Sequence, residues 1–198
     1  MSKVKSCVVI VHLFLFYCST SSSSAQQLVY KVEYHSDSIG YMTATRSTSG
    51  QTTTYELVSK AKLKFLMSFD LYSHYMAEFE DNSLTTASSK NYLNDKKQSV
   101  CDVKWADGRY IINVDDEQRT ENTPIRQSIA SMYFEKPLSS NIFSEKYGAF
   151  CSVLKVNSDK YELNKPDNRK NTYYFKNGIC EKVEIDLKMA TIFLVRIK

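Results

Sequence analysis

The stretch P-I-R-Q-S-I-A-S-M-Y-F-E-K-P, Pro124–Pro137, differs in rhythm from what surrounds it. Elsewhere the apolar residues alternate with period two, the pattern of half-buried strands. Here Ile125, Ile129, Met132 and Tyr133 fall at i, i+4, i+7 and i+8, the spacing of one helical face. Thr123 suits an N-cap, Pro124 the first helical position, where its missing N–H has no intrahelical partner, and Pro137 forbids continuation. The spacing predicts one short amphipathic helix over Ile125–Phe134 in an otherwise β chain. Its apolar face needs a partner, and the only large one is the sheet. The expected fold is therefore mainly β: a strongly curved antiparallel sheet or incomplete (half) barrel of about 10–12 strands with one short helix packed on its concave face.

Outward from that stretch, Leu28–His35, Ile39–Arg46 and Thr52–Lys60 alternate as strands on the N-terminal side. In the run from Leu63 to Phe79 the odd positions are mostly apolar (Leu63, Phe65, Met67, Phe69, Leu71, Tyr75, Phe79). At about 3.3 Å per residue it would span roughly 55 Å as one straight strand, so a bend or bulge is expected near Ser68 or Ser73. Leu84–Leu93, Ser99–Trp105 and Arg109–Val114 follow, with Asp107-Gly108 as the strongest hairpin signal because a type I′ turn needs positive φ twice. Asp115–Asn122 is charged, lacks periodicity and reads as a loop, and Ser139–Gly148 as one more helical turn. A meander closes the chain: Ala149–Val156, Lys160–Leu163, Thr172–Lys176, Ile179–Lys188 and Ala190–Ile197, the turn between its third and fourth strands being Asn177-Gly178.

The first residues look like a secretory leader. Lys3 and Lys5 form a basic start, Val8–Phe16 an apolar core too short for a bilayer, and Ser23-Ser24-Ala25 a small-residue cleavage site. Cleavage near Ala25 would leave residues 26–198 as a single β domain, periplasmic or secreted, and takes the formal charge from +4 to +2. No later stretch has the length and apolarity of a transmembrane helix. Acidic and basic residues are interspersed, which speaks against nucleic acid as a partner. Three cysteines remain, Cys101, Cys151 and Cys180, without C-x-x-C spacing, and buried free thiols are the economical reading.

Candidate chemistry is thin. Only His35 and His74 lie beyond the leader, there is no G-x-S-x-G elbow, and no second ligand accompanies either histidine at metal-binding spacing. Asp115-Asp116-Glu117 lacks the spaced oxygens and glycine of a calcium loop. No catalytic residue, metal or cofactor is expected. The expected site is an apolar one between helix and sheet, formed by Phe65, Met67, Phe69, Ile125, Ile129, Met132 and Tyr133, with a lipid or other apolar ligand as partner. The alternatives are a structural or protein-interaction module of the envelope, partnered by an envelope protein, and an enzyme.

Several linked stretches resemble a family: V-Y-K-V-E-Y with Ile39-Gly40, F-E-D-N-S-L with S-S-K-N-Y-L-N, the Pro124–Pro137 stretch, F-S-E-K-Y-G, and L-N-K-P-D-N-R-K-N-T-Y-Y-F-K-N-G. Together they are similar to an uncharacterised group of secreted Bacteroidota proteins, a domain of unknown function numbered 6134. Asn168 stands where that family tends to have glycine, and Asn also tolerates positive φ. The resemblance implies no activity, substrate or catalytic residue. At the level of fold, many strands plus a central helix are similar to the carriers of the lipoprotein-localisation system, which implies an open half-barrel receiving acyl chains.

Overall fold

The computed structural model describes residues 23–64, 67–187 and 190–197. The basic and apolar parts of the expected leader, and Phe65, lie outside the described residues. The strands are β1 (Ser23–Tyr34), β2 (Asp37–Ser49), β3 (Thr52–Lys64), β4 (Ser68–Glu80), β5 (Ser83–Leu93), β6 (Lys96–Ala106), β7 (Arg109–Val114), β8 (Glu117–Glu121), β9 (Asn141–Ser144), β10 (Ala149–Lys155), β11 (Lys160–Asn164), β12 (Lys170–Lys176), β13 (Ile179–Asp186) and β14 (Thr191–Ile197). All fourteen, against the roughly 10–12 expected because β8 and β9 lie where the sequence predicts a loop and a helical turn, form one sheet in the order β8-β7-β6-β5-β4-β3-β2-β1-β14-β13-β12-β11-β10-β9. Every neighbouring pair is antiparallel. The sheet is thus two meanders joined where β1 meets β14, with β8 and β9 as its unclosed edges.

The short connections explain the meander. His35-Ser36, Asp81-Asn82, Asn94-Asp95, Asp107-Gly108 and Asn177-Gly178 each have φ > 0 at both residues, as two-residue type I′ hairpins require for their twist to match that of the strands. Asn168 also takes positive φ. Nothing lies within 4 Å of a Cβ built on Gly178, so that position tests backbone conformation alone. Gly178→Val is expected to cost more than about 1 kcal/mol, because a β-branched residue resists positive φ. An unchanged urea midpoint would show that the turn does not need it.

Four expectations are corrected. The run from Leu63 to Phe79 is not one bent strand: β3 ends at Lys64, β4 begins at Ser68, and the two pair antiparallel with Lys64 opposite Ser68. Residues on both sides keep odd parity inward, which imitates a single strand in the sequence. Glu117–Glu121 is a strand despite its charge. It is an edge strand exposed along nearly all its length, where charged side chains deter pairing with another chain. Asn141–Ser144 is a strand and not a helical turn.

The helix expected over Ile125–Phe134 is also absent: among the described residues there is no helix beyond a single 3₁₀ turn, Ser131–Tyr133. The segment instead crosses the concave face as irregular backbone tied to both arms of the sheet. Leu84 N donates to Ile125 O at 3.0 Å, Ile129 N to Phe143 O at 2.9 Å, and Phe143 N to Gln127 O at 3.2 Å. Ser131 Oγ donates to Ser128 O at 3.0 Å, the kind of local side-chain bond that competes with a helix. Gln127, itself buried, accepts from Leu138 N and donates to Lys136 O. Ile125, Ala130, Met132, Tyr133 and Phe134 are all buried. A segment enclosed on most sides does not need the single apolar stripe of a surface helix, and tertiary bonds override the propensity signal.

The sheet coils until its two arms approach. Gly148, in the turn after β9, sits against β6 and β7 so closely that a Cβ there would meet Ile112 Cγ2 at 2.5 Å. Arg119 of β8 donates to the carbonyl of Tyr147 in the same turn. Cys101, Cys151 and Cys180 are free and buried inside the coil. Burial pushes Cys101 and Cys180 up to about 12 and Cys151 up to about 11, which leaves them poor nucleophiles.

Candidate functional site

The crossing segment divides the space enclosed by the sheet into two unequal halves. Toward the end that carries the β2–β3 and β4–β5 turns it fills the space: Phe134 packs on Tyr55, with ring centroids 5.7 Å apart, and lies under the Arg46 guanidinium. Tyr133 meets Tyr30 and Tyr173 edge to face at 5.3 and 6.2 Å. Toward the opposite end, with the β3–β4, β5–β6 and β13–β14 turns, a cavity of about 450 Å³ remains.

Period-two alternation on long strands builds the apolar wall. Leu57 and Leu63 of β3, Phe69 and Leu71 of β4, Ile185 of β13 and Ile192 of β14 all face the cavity, and Ile129 and Tyr133 of the crossing segment border its inner end. Thirteen residues each in β3 and β4 carry the wall past the point where the crossing segment stops. The volume lies in the range of about 300–1,000 Å³ typical of small-molecule sites.

One side of the mouth is polar. Lys146 and Tyr147 come from the turn after β9, and Lys165 and Arg169 from the turn between β11 and β12; Asn171 begins the inward face of β12. Lys165 Nζ donates to Asn171 Oδ1 and to the carbonyl of Asp186, both at 2.9 Å. Burial, then the charge of Arg169, lowers the Lys165 ammonium to about 8. Burial and Arg169 also lower Lys146, whose Nζ stands 5.5 Å from the Tyr147 ring centroid. Arg169 pairs with Asp167, and Tyr147 OH donates to the same carboxylate at 2.5 Å. Burial opposes ionisation of Asp167, but Arg169 and Tyr147 outweigh it and hold that carboxyl well below the usual range.

At the floor, Glu145 is 1% exposed. Its Oε1 accepts from Ala130 N at 3.0 Å, while Oε2 lacks a hydrogen-bond partner among the described residues. Burial raises its pKa against the donors around it, favouring the neutral acid. Asn91 supplies a second polar spot, where its Oδ1 accepts from Tyr75 OH at 2.9 Å and Ser73 Oγ at 3.0 Å.

Of the residues expected to form the site, Phe69, Ile129 and Tyr133 line the cavity. Ile125 and Met132 are fully buried in the filled half and do not reach it. Met67 is 68% exposed at the β3–β4 turn, turned outward where the inward alternation breaks. Neither histidine lines the cavity: His74 bonds Glu56 at 2.8 Å and His35 stacks on Tyr34. The basic side of the mouth was missed, although Lys165 shares the parity of buried Tyr161 and Leu163 and could have been placed inward.

Against known families, the description "Domain of unknown function (DUF6134)" matches residues 30–197. The chain belongs to this family. Two stretches that carried the resemblance, F-S-E-K-Y-G and L-N-K-P-D-N-R-K-N-T-Y-Y-F-K-N-G, supply the basic side of the mouth. No protein of curated function matches the chain. Among solved structures, a β-barrel-like protein of another domain of unknown function, DUF1849, from Brucella abortus is 12% identical, with 87% of this chain and 95% of that one covered and a TM-score of 0.46. Among the described residues no group of His, Cys, Asp and Glu is arranged to hold a metal ion, and no helix is long and apolar enough to cross a membrane.

Proposed function

We propose that this DUF6134 chain is a non-catalytic binding protein of the cell envelope or the secreted space that takes a lipid or acyl chain into the open half of its coiled sheet. The carrying observation is the cavity itself: about 450 Å³, walled by Leu57, Leu63, Phe69, Leu71 and Ile192, and left unfilled beside a tightly packed half. The ligand lies between sheet and crossing segment, not between sheet and helix. Among the described residues His35 and His74, acid–base groups that titrate near neutral pH, stand away from the cavity, which supports binding over catalysis.

Secretion belongs to the same proposal. Cleavage near Ala25 would remove Ser23–Ala25, which pair with Ser47–Ser49 at the outermost end of β1 and β2, and would leave the cavity wall intact. Protein recovered from its own envelope is expected to begin at Gln26 by intact mass; retention of residues 1–25 would defeat the secreted reading. The same material should take up a neutral fluorescent acyl probe, and Ile129→Trp, which fills the inner end of the cavity, should weaken uptake at least tenfold with the fold kept. A folded protein that takes up no probe would favour the interaction-module alternative.

A further inference from the structure

We propose that the ligand is a single-chain amphiphile with an anionic head, carboxylate or phosphate, held at the mouth by Lys146 and Lys165. This rests on the acyl-binding reading and specifies it.

Lys146 and Lys165 reach the cavity without a direct ion pair among the described residues. Among the described residues, Arg169 is the one of the three cations along the cavity that pairs with a carboxylate, that of Asp167. Both acceptors bonded to the Lys165 ammonium are neutral, an amide oxygen and a backbone carbonyl. Lys146 has the Tyr147 ring as its neighbour, and the Asp167 carboxylate favours its charged form less than burial and Arg169 oppose it. Asp167 and Asp186 do favour the charged form of Lys165, but burial, Arg169 and Lys146 prevail and its pKa falls. Glu145, the remaining acid along the cavity, tends to neutrality through its own burial. The apolar wall and the mouth therefore present two half-buried ammonium groups with an incomplete set of partners.

Burying charge beside apolar surface is costly unless an opposite charge completes it. An anionic head would do so with charge-assisted hydrogen bonds from the lysines, while its chain covers Phe69, Leu71 and Ile192. The volume, at the lower end of the range for small-molecule sites, suits one chain better than a two-chain lipid. A bare anion would leave the apolar wall wet, and a neutral alcohol would leave the lysines unpaired.

The pH dependence has a definite sign. The anion favours protonated Lys165, so binding is strongest where the head is ionised and the pH lies below the free-state pKa of about 8, and it weakens as pH rises through and beyond that value. Asp167 stays ionised across that window.

Displacement of a neutral fluorescent probe from the purified protein tests this with dodecanoate, dodecyl phosphate, dodecanol, acetate and inorganic phosphate. Dodecanoate or dodecyl phosphate is expected to bind at least tenfold tighter than dodecanol at pH 7, and the stronger of the two identifies the head. The advantage should shrink between pH 7 and 9, and should fall severalfold in Lys165→Met and in Lys146→Gln, each judged by the ratio of anionic to neutral affinity within the same folded variant. Equal binding of dodecanol and the anionic chains would overturn the headgroup site and leave the acyl-binding reading standing. Displacement by acetate or phosphate at equal concentration would also overturn it, in favour of a small-anion site. Failure of the neutral probe and every dodecyl compound to bind would defeat both readings.

Discussion

Gly40→Val is expected to leave little folded protein, and Gly40→Ala to cost at least about 3 kcal/mol, the upper end of ordinary overpacking. A Cβ on Gly40 would lie 2.1 Å from the carbonyl oxygen of Lys60 and 2.6 Å from Ala61 Cα. Both are backbone atoms of β3, so no rotamer change relieves the clash; β2 would have to leave β3. The site also adjoins an irregularity, since Val32 pairs with Gly40 but Glu33 with Ser38. The added curvature of such a bulge brings two backbones together. Gly178→Val, with open space around its Cβ, is the contrasting case. Urea midpoints of the variants measure the difference, and a loss below about 1 kcal/mol for Gly40→Ala would show that β2 and β3 can separate there cheaply.

The second large effect comes from the crossing segment. Phe134→Ala is expected to cost about 3–5 kcal/mol, and Met132→Ala about 2–5 kcal/mol, the usual range for emptying a packed site. Phe134 contacts Tyr55 and lies under Arg46, and Met132 is fully buried. Ile129 is only half-buried and borders the existing cavity, so Ile129→Ala should cost distinctly less than either. Comparable losses at all three positions in chemical denaturation would mean that the division into filled and open halves is wrong.

Much of the architecture was legible because antiparallel strands write their two faces into alternate residues. Tyr30 and Val32, Tyr55 and Leu57, and Val183 and Ile185 all face inward as their parity requires. The turns were legible where a single residue type carries the conformation, as at Asp107-Gly108 and Asn177-Gly178. The segment 125–134 was misread because i, i+4, i+7 spacing signals a helix only when one face is buried, and here nearly every face is. Strand β8 was missed because an edge strand on the surface has no apolar parity to show. The cavity could not be deduced, since its presence depends on how far a crossing segment without regular structure reaches along β3 and β4. Its basic side draws on two turns separated by about twenty residues, brought together only by the order of β9 to β12.

The meeting of β1 with β14 at the middle of the sheet has a consequence for how the chain reaches its folded state. Strands β1 to β8 can zip up in order as successive hairpins, but β1 then keeps one edge bare until β14, the last strand in chain order, has been made. Until that ladder forms, Tyr30 cannot donate its hydroxyl to the carbonyl of Cys180, a 2.7 Å bond spanning 150 residues. Closing the seam is therefore a late event of high contact order, and such pairings are slow and leave strand edges open to aggregation. The exposed row of backbone groups on β1 is what a holding chaperone would have to cover during synthesis. A chain shortened before Thr191 would keep that edge permanently, and would be expected to self-associate through it.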